Sequence, residues 1–235
     1  MNAEVDIKLG HKIGDFFLPQ LQNAKYRLWI MSPWLSTEYM ELAVNKKKAG
    51  LDVRVTTSND FFKNSQKESI SKLIESQIRV IREENKKLKY IGICLVVIGI
   101  ILTINTNWIS LLLSLIGAIL FFRGLKKTET YWISKLGDGN LTVLQYNPYK
   151  MVHAKIYIVD DTVIIGSANL TGNGLNNNTE VMAAIKNNEI AQNLIDVMNN
   201  IQEISGLQSI SYDTLGKEIE YVEPKKSHYR RWRVQ

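Results

Sequence analysis

The sequence predicts an α/β protein, a layered α/β domain with a two-helix transmembrane hairpin inserted into it. Three observations carry this. Short apolar runs rich in β-branched residues alternate with helical patterns near both ends of the 235-residue chain. A central block from Tyr90 to Phe122 has no charged residue. The stretch "HAKIYIVDDTVIIGSAN", residues 153–169, reads as two strands joined at Asp160-Asp161, with histidine, lysine, serine and asparagine at its polar ends.

The elements follow in order. Residues 10–23 read as a helix with Ile13, Phe16, Phe17 and Leu21 on one side. "YRLWIMSPWL" (26–35) is a buried strand ended by Ser-Pro. "STEYMELAVNKKKAG" (36–50) is a helix closed by Gly50, and "LDVRVTT" (51–57) alternates as a strand. That order gives a βαβ unit. In residues 65–89, Ile70, Leu73, Ile74, Ile78 and Ile81 recur every three or four positions, which predicts a long helix running into the apolar block. "KKTETYWISKL" predicts a returning helix, so that the two form a stalk. Strands at 141–146 and 179–185 and an amphipathic helix at 187–204 complete the series.

Within the apolar block, "YIGICLVVIGIILTI" (90–104) and "NWISLLLSLIGAILFF" (107–122) flank Asn105-Thr106-Asn107. Each run is roughly 23 Å long as a helix, against a hydrocarbon core of about 30 Å. Snorkelling Lys89 and Arg123 extend the reach. The apolar residues surround each run instead of forming a stripe, which favours membrane spans over a buried helical pair in a soluble core or a shallow re-entrant hairpin. Lys86, Lys87 and Lys89 precede the block, and Arg123, Lys126 and Lys127 follow it, while the connecting turn is uncharged. The positive-inside rule then places both flanks in the cytoplasm and the protein in the cell membrane. The lone cysteine, Cys94, fits a reducing compartment, and the N-terminus shows no signal-peptide pattern.

The formal net charge is +6, and the stretch Pro224–Gln235 supplies +5 of it through Lys225, Lys226, Arg230, Arg231 and Arg233. Interleaved with Tyr229 and Trp232, this basic tail suits anionic headgroups or nucleic acid phosphates. The expected organisation is therefore residues 1–62 as the first part of the domain and 63–137 as a helical stalk and hairpin, with spans at about 88–105 and 107–123. Residues 138–208 are the second part, and 209–235 the basic tail.

His153 and Lys155 are two apart, so on a strand they share a face. Gly166-Ser167-Ala168-Asn169 is a polar break where a ligand can approach the backbone. Phosphodiester cleavage needs a nucleophile, an acid for the leaving oxygen, and positive charge around the phosphate. Histidine serves as nucleophile or acid near neutral pH. Lys155 and the Asn169 amide can hold phosphate oxygens, helped by Ser167 and the backbone N–H groups near Gly166. No His/Cys/Asp cluster with metal spacing is present in the sequence, so neither metal nor other cofactor is expected.

The spacing His-x-Lys, four residues, Asp, then Gly-Ser-x-Asn resembles the signature of the phospholipase D superfamily, carried here by His153, Lys155, Asp160, Gly166, Ser167 and Asn169. "IMSPWL", "AGLDVRV" and "GSANLTGNGLNNNTE" resemble neighbouring segments of that family. The resemblance reaches to about residue 205 and omits residues 65–135. One departure is a hairpin shorter by one residue between Asp160 and Gly166.

The resemblance implies a phospholipase D-like layered α/β/α fold and hydrolysis through a phosphohistidine. It implies that Glu180 is the acid orienting the histidine, and that Asp160 supports the turn or a subunit contact. Family members use two such motifs, and this chain has one, so the resemblance implies a homodimer with two copies of His153 at one site. The leading expectation is a membrane-anchored phosphodiesterase acting on phospholipid diesters. A metal-independent endonuclease and a non-catalytic phosphate-binding membrane protein are the alternatives.

Overall fold

The computed structural model describes residues 3–105 and 110–220. It divides into two compact units, the first built from the segments up to Glu75 and from Trp132 onward, the second spanning Ser76–Tyr131.

The first unit is built on a mixed seven-stranded sheet. In chain order its strands are β1 (Glu4–Gly10), β2 (Arg27–Met31), β3 (Asp52–Ser58), β6 (Leu141–Leu144), β7 (Ile156–Val159), β8 (Thr162–Gly166) and β9 (Glu180–Lys186). They lie side by side as β1-β9-β8-β7-β2-β3-β6. Strands β2, β3 and β6 are parallel, while β7 runs antiparallel to β2, and β8, β9 and β1 continue antiparallel.

Alternation along the strands builds two cores. Leu28, Ile30, Val53, Val55, Tyr157 and Met182 face helices α1 (Gly14–Gln22), α2 (Thr37–Lys48), α3 (Asn64–Ser71) and α8 (Tyr212–Glu220). On the other face Trp29, Met31, Ile158 and Val163 meet Ala191, Ile195, Met198 and Ile201 of α6 (Asn188–Asn199) and α7 (Ile201–Ser205). The α/β expectation therefore holds, with a large sheet between helical layers. Asn187 caps α6 by accepting the N–H bonds of Glu189 and Ile190 at 2.9 and 3.0 Å, a contribution of about 1 kcal/mol.

Three readings are corrected. Residues 74–82, expected as helix, form strand β4 (Ile74–Arg82), and the expected returning helix is strand β5 (Lys127–Ser134); the two pair as a separate sheet. Arg79 meets Glu129 and Tyr131 meets Gln77, an order that makes the pair antiparallel. The helical stalk is thus a β-ribbon. Ile78, Val80 and Ile81 are β-branched and favour extended backbone over helix.

The N-terminal strand β1 was not expected, although Val5, Ile7 and Leu9 alternate. Lastly, residues 212–220 of the expected tail form α8, whose Leu215 is buried and whose Gly216 lies directly against the Trp132 indole. The basic stretch from Pro224 onward lies outside the described residues.

In the second unit, helices α4 (Lys86–Asn105) and α5 (Leu111–Gly124) pack antiparallel. Glycines make this possible: a Cβ on Gly92 would sit 2.5 Å from the Phe121 nitrogen, and one on Gly117 would sit 2.6 Å from the Gly92 oxygen. Ser114 bonds the Val96 carbonyl, and Thr103 bonds Ser110. Small and hydroxyl residues line the seam, while Ile91, Val97, Ile101, Leu112 and Leu115 point outward. That is the reverse of a soluble core helix. Lys86–Ile104 is long and apolar enough to cross a membrane; Leu111–Gly124 is a shorter apolar helix.

Candidate active site

The hairpin β7–β8 turns through Asp160-Asp161, as the sequence predicts. Asp160 has φ 54°, a left-handed conformation that aspartate tolerates. Its carboxylate accepts the backbone N–H bonds of Lys25, Tyr26 and Arg27 at 2.9–3.2 Å, tying the turn to the start of β2. Asp160 therefore supports the fold from one end of β7, and His153 lies beyond the other end.

At that other end the site residues assemble. Lys155 directly precedes β7 and is 5% exposed. Its ammonium lies 2.7 Å from Nδ1 and 3.1 Å from Nε2 of His153, and it donates to the His153 carbonyl at 2.8 Å. Burial and then the neighbouring ammonium hold the His153 pKa below the usual histidine range. Burial likewise lowers the Lys155 pKa, while the Glu180 carboxylate opposes that shift. A neutral imidazole beside a buried cation is the state needed for attack on phosphorus.

Gly166 ends β8 where no side chain fits. A Cβ there would stand 2.0 Å from the Val181 carbonyl and 2.6 Å from the Met182 sulfur. The tight passage delivers Ser167, whose hydroxyl donates to Glu180 and accepts from the Val181 N–H at 3.1 Å. The second oxygen of Glu180 accepts from Asn178 at 3.1 Å. Glu180 thus lies on Ser167 and Asn178 and makes no hydrogen bond to His153, whose ring nitrogens face Lys155. The half-buried Asn169 reaches the Ser32 hydroxyl at 3.5 Å, and the Tyr157 hydroxyl donates to the Ala168 carbonyl at 2.8 Å. Among the described residues no three of His, Cys, Asp and Glu gather as a metal-ligand set.

The loop after β2 closes the site from the side. The Trp34 ring meets the His153 ring edge-on at 5.5 Å. Its indole N–H donates to Asp60 at 2.9 Å, and the Lys63 ammonium stands 3.5 Å above its centroid. Pro33 and Leu35 are pinned by buried Gln66, which accepts from the Leu35 N–H at 2.9 Å and reaches the Pro33 carbonyl at 3.2 Å. Sequence reading missed Asp60, Lys63 and Gln66. The signal for Gln66 was present, since it lies four residues before Ile70 on the apolar stripe of the helix.

His11, expected outside the site, bonds the Asn177 carbonyl at 3.0 Å and the Thr179 hydroxyl at 3.2 Å, so both its ring nitrogens are engaged. His228 lies outside the described residues.

No curated protein matches the chain. Among solved structures it is similar to Nuc from Salmonella typhimurium, a phospholipase D family member, with 17% identity, TM-score 0.49, and 89% of this chain and 99% of that chain covered. It is similar to NucT from Helicobacter pylori at 13% identity and TM-score 0.44, covering 90% and 100%. It is also similar to phosphatidylserine synthase from Haemophilus influenzae Rd KW20, at 12% identity and TM-score 0.45, covering 93% of this chain and 41% of that one. Residues 96–202 match the family model described as cardiolipin synthase, PLD-like domain, and that span includes His153, Lys155, Ser167, Asn169 and Glu180.

Proposed function

We propose that this chain is a membrane-anchored phosphodiesterase of the phospholipase D superfamily that acts on phospholipid diesters. The observation that carries the reading is the buried Lys155 ammonium against the neutral His153 ring, at the mouth of the Gly166–Asn169 turn. The family match to a cardiolipin synthase domain supports a lipid diester as substrate. The apolar helices α4 and α5 support anchorage in a bilayer, and the lysines and arginines at 86–89 and 123–127 favour both flanks on the cytoplasmic side.

In this reading a nitrogen of His153 attacks phosphorus, and the P–O bond to the headgroup alcohol breaks. The imidazolium of a second copy's His153 gives its proton to the leaving oxygen. That second imidazole, now neutral, takes a proton from water, whose oxygen attacks phosphorus and breaks the N–P bond. Lys155 and the Asn169 amide hold the non-bridging oxygens throughout. Glu180 fixes Ser167 and offsets part of the Lys155 charge. The chain works as a homodimer without a metal.

A second reading, a metal-independent endonuclease, rests on the basic stretch from Pro224 onward. Fluorescent phospholipid vesicles and single-stranded oligonucleotides, each incubated with the full-length protein in EDTA, separate the two. Lipid cleavage abolished by His153→Asn is expected. Oligonucleotide cleavage alone selects the nuclease, and no cleavage of either selects a phosphate-binding protein.

A further inference from the structure

We propose that the hydrocarbon part of the substrate lies in a cleft that continues from His153 past Trp34 and across Phe61, Phe62 and Tyr146. This deepens the reading of the site as a phosphodiester site and rests on it.

The cleft and the site share one end of the sheet. Strands β2, β3 and β6 are parallel, so the loops after them lie together, and β7, antiparallel beside β2, begins at that same end. Ligands of open α/β sheets bind in this position. The segment 59–63 after β3 connects the two. Trp34 touches His153, Asp60 and Lys63; Asn59 accepts the Tyr146 N–H at 2.6 Å; and the Phe62 and Tyr146 rings meet at 6.5 Å.

Beyond them an open cleft of about 1080 Å³ is lined by Phe61, Phe62, Tyr146 and Ile219 set among polar and charged residues, Lys67 and Lys217 included. Phe62 is 92% exposed at its edge. Water is a poor partner for that ring, and a hydrocarbon chain is a good one.

The charge on the wall fits one amphiphile better than a polynucleotide. A nucleic acid track needs a row of cations, one near each phosphate. The cleft wall carries Lys67 and Lys217 against Glu218, and Lys63 is engaged by Asp60 at 3.5 Å. A single phosphate at Lys155 with an apolar body over Phe62 satisfies both ends.

The test uses the full chain in detergent micelles with Phe62→Asp, Tyr146→Ala and the control Phe62→Trp. The readout is the ratio of kcat/KM for dioleoyl phosphatidylglycerol to that for the dihexanoyl form. Phe62→Asp should lower this ratio by about tenfold, the effect expected from losing one buried aromatic contact, and Phe62→Trp should keep it. A parallel measurement needs no turnover: in a His153→Asn background, Phe62→Asp should weaken binding of a fluorescent long-chain phosphatidylglycerol by about tenfold. Lipid cleavage with an unchanged ratio and unchanged binding overturns the cleft while leaving the catalytic reading in place. Phe62-dependent lipid binding without any diester cleavage leaves the cleft and overturns the catalytic reading. Phe62-dependent binding of an oligonucleotide instead of lipid overturns the cleft as a hydrocarbon site.

Discussion

The Lys155 ammonium lies 2.7 Å from Nδ1 of His153 while the lysine itself is almost wholly buried. An ammonium can only donate, so the ring beside it accepts and is neutral. Protonating the ring places two cations together in a partly desolvated site, which moves its pKa below the usual 6.5. The neutral, nucleophilic form is then favoured at neutral pH and is lost as pH falls through that lowered value. The chain has three histidines, so NMR titration can follow each ring. His153 should titrate below 6.5, and Lys155→Gln should move it upward, with the acid limb of kcat/KM moving the same way. A midpoint at or above 6.5 in the wild type, or no movement in the variant, would show that the cation does not tune the ring.

Asp160→Ala should destabilise the fold by about 2–3 kcal/mol. Its carboxylate satisfies three backbone N–H groups, and removal leaves the Lys25–Arg27 segment without its anchor. Four residues of β7 separate this end of the hairpin from the site, a distance of about 13 Å. Thermal unfolding should therefore shift down, while activity measured well below the transition stays within about threefold of wild type. A large loss of turnover in folded protein would place Asp160 in the chemistry instead.

Much of this was legible because local pattern and tertiary context agree. The β2–α2–β3 unit and the β7–β8 hairpin follow from alternation, a glycine stop and an Asp-Asp corner. Residues 74–82 were misread because Ile70, Leu73, Ile74, Ile78 and Ile81 fit a helical period, while Ile74, Ile78 and Val80 also fit a strand, and pairing with Lys127–Ser134 decides between them. Within the site, the motif residues are named by their resemblance to the phospholipase D signature. The support from Gln66, Asp60 and Lys63 is tertiary, joining segments 26 to 33 residues apart; the helical stripe marks Gln66 as inward-facing, but no local signal reports which loop it holds or that Asp60 and Lys63 meet Trp34. The hydrogen bonds of Glu180 to Ser167 and Asn178 are likewise tertiary, and chain order alone does not report them.

Helices α4 and α5 present bulky apolar residues outward and small ones inward, which predicts that the pair sits in lipid with Asn105 on the far side. Single cysteines at Asn105 and Ser227 in a Cys94→Ser background test this in intact cells. Asn105→Cys should react with an impermeant maleimide from outside, and Ser227→Cys only after permeabilisation. Protection of Asn105→Cys from both sides would point to a re-entrant hairpin.

The proposed mechanism depends on a dimer. Double displacement needs a nucleophile on one side of phosphorus and an acid on the other, and one chain supplies one histidine with the required lysine context. His11 does not fill the second role, because Asn177 and Thr179 occupy both its ring nitrogens. In the proposed mechanism a second chain solves the problem by symmetry, bringing another His153 to the same phosphate. The surface also favours a partner: Val5, Ile7 and Leu9 stand 50–72% exposed along edge strand β1, whose Gly10 pairs with Glu180 at the site end of the sheet. The two imidazoles become distinct only when an asymmetric diester binds, so covalent phosphohistidine should accumulate at one per dimer. Refolding or co-expressing wild-type and His153→Asn chains at varied ratios gives heterodimers with one functional ring. These should be nearly inactive, so total activity should follow the square of the wild-type fraction. A linear dependence would mean that each chain completes the reaction alone, and the acid would then have to be sought within the single chain.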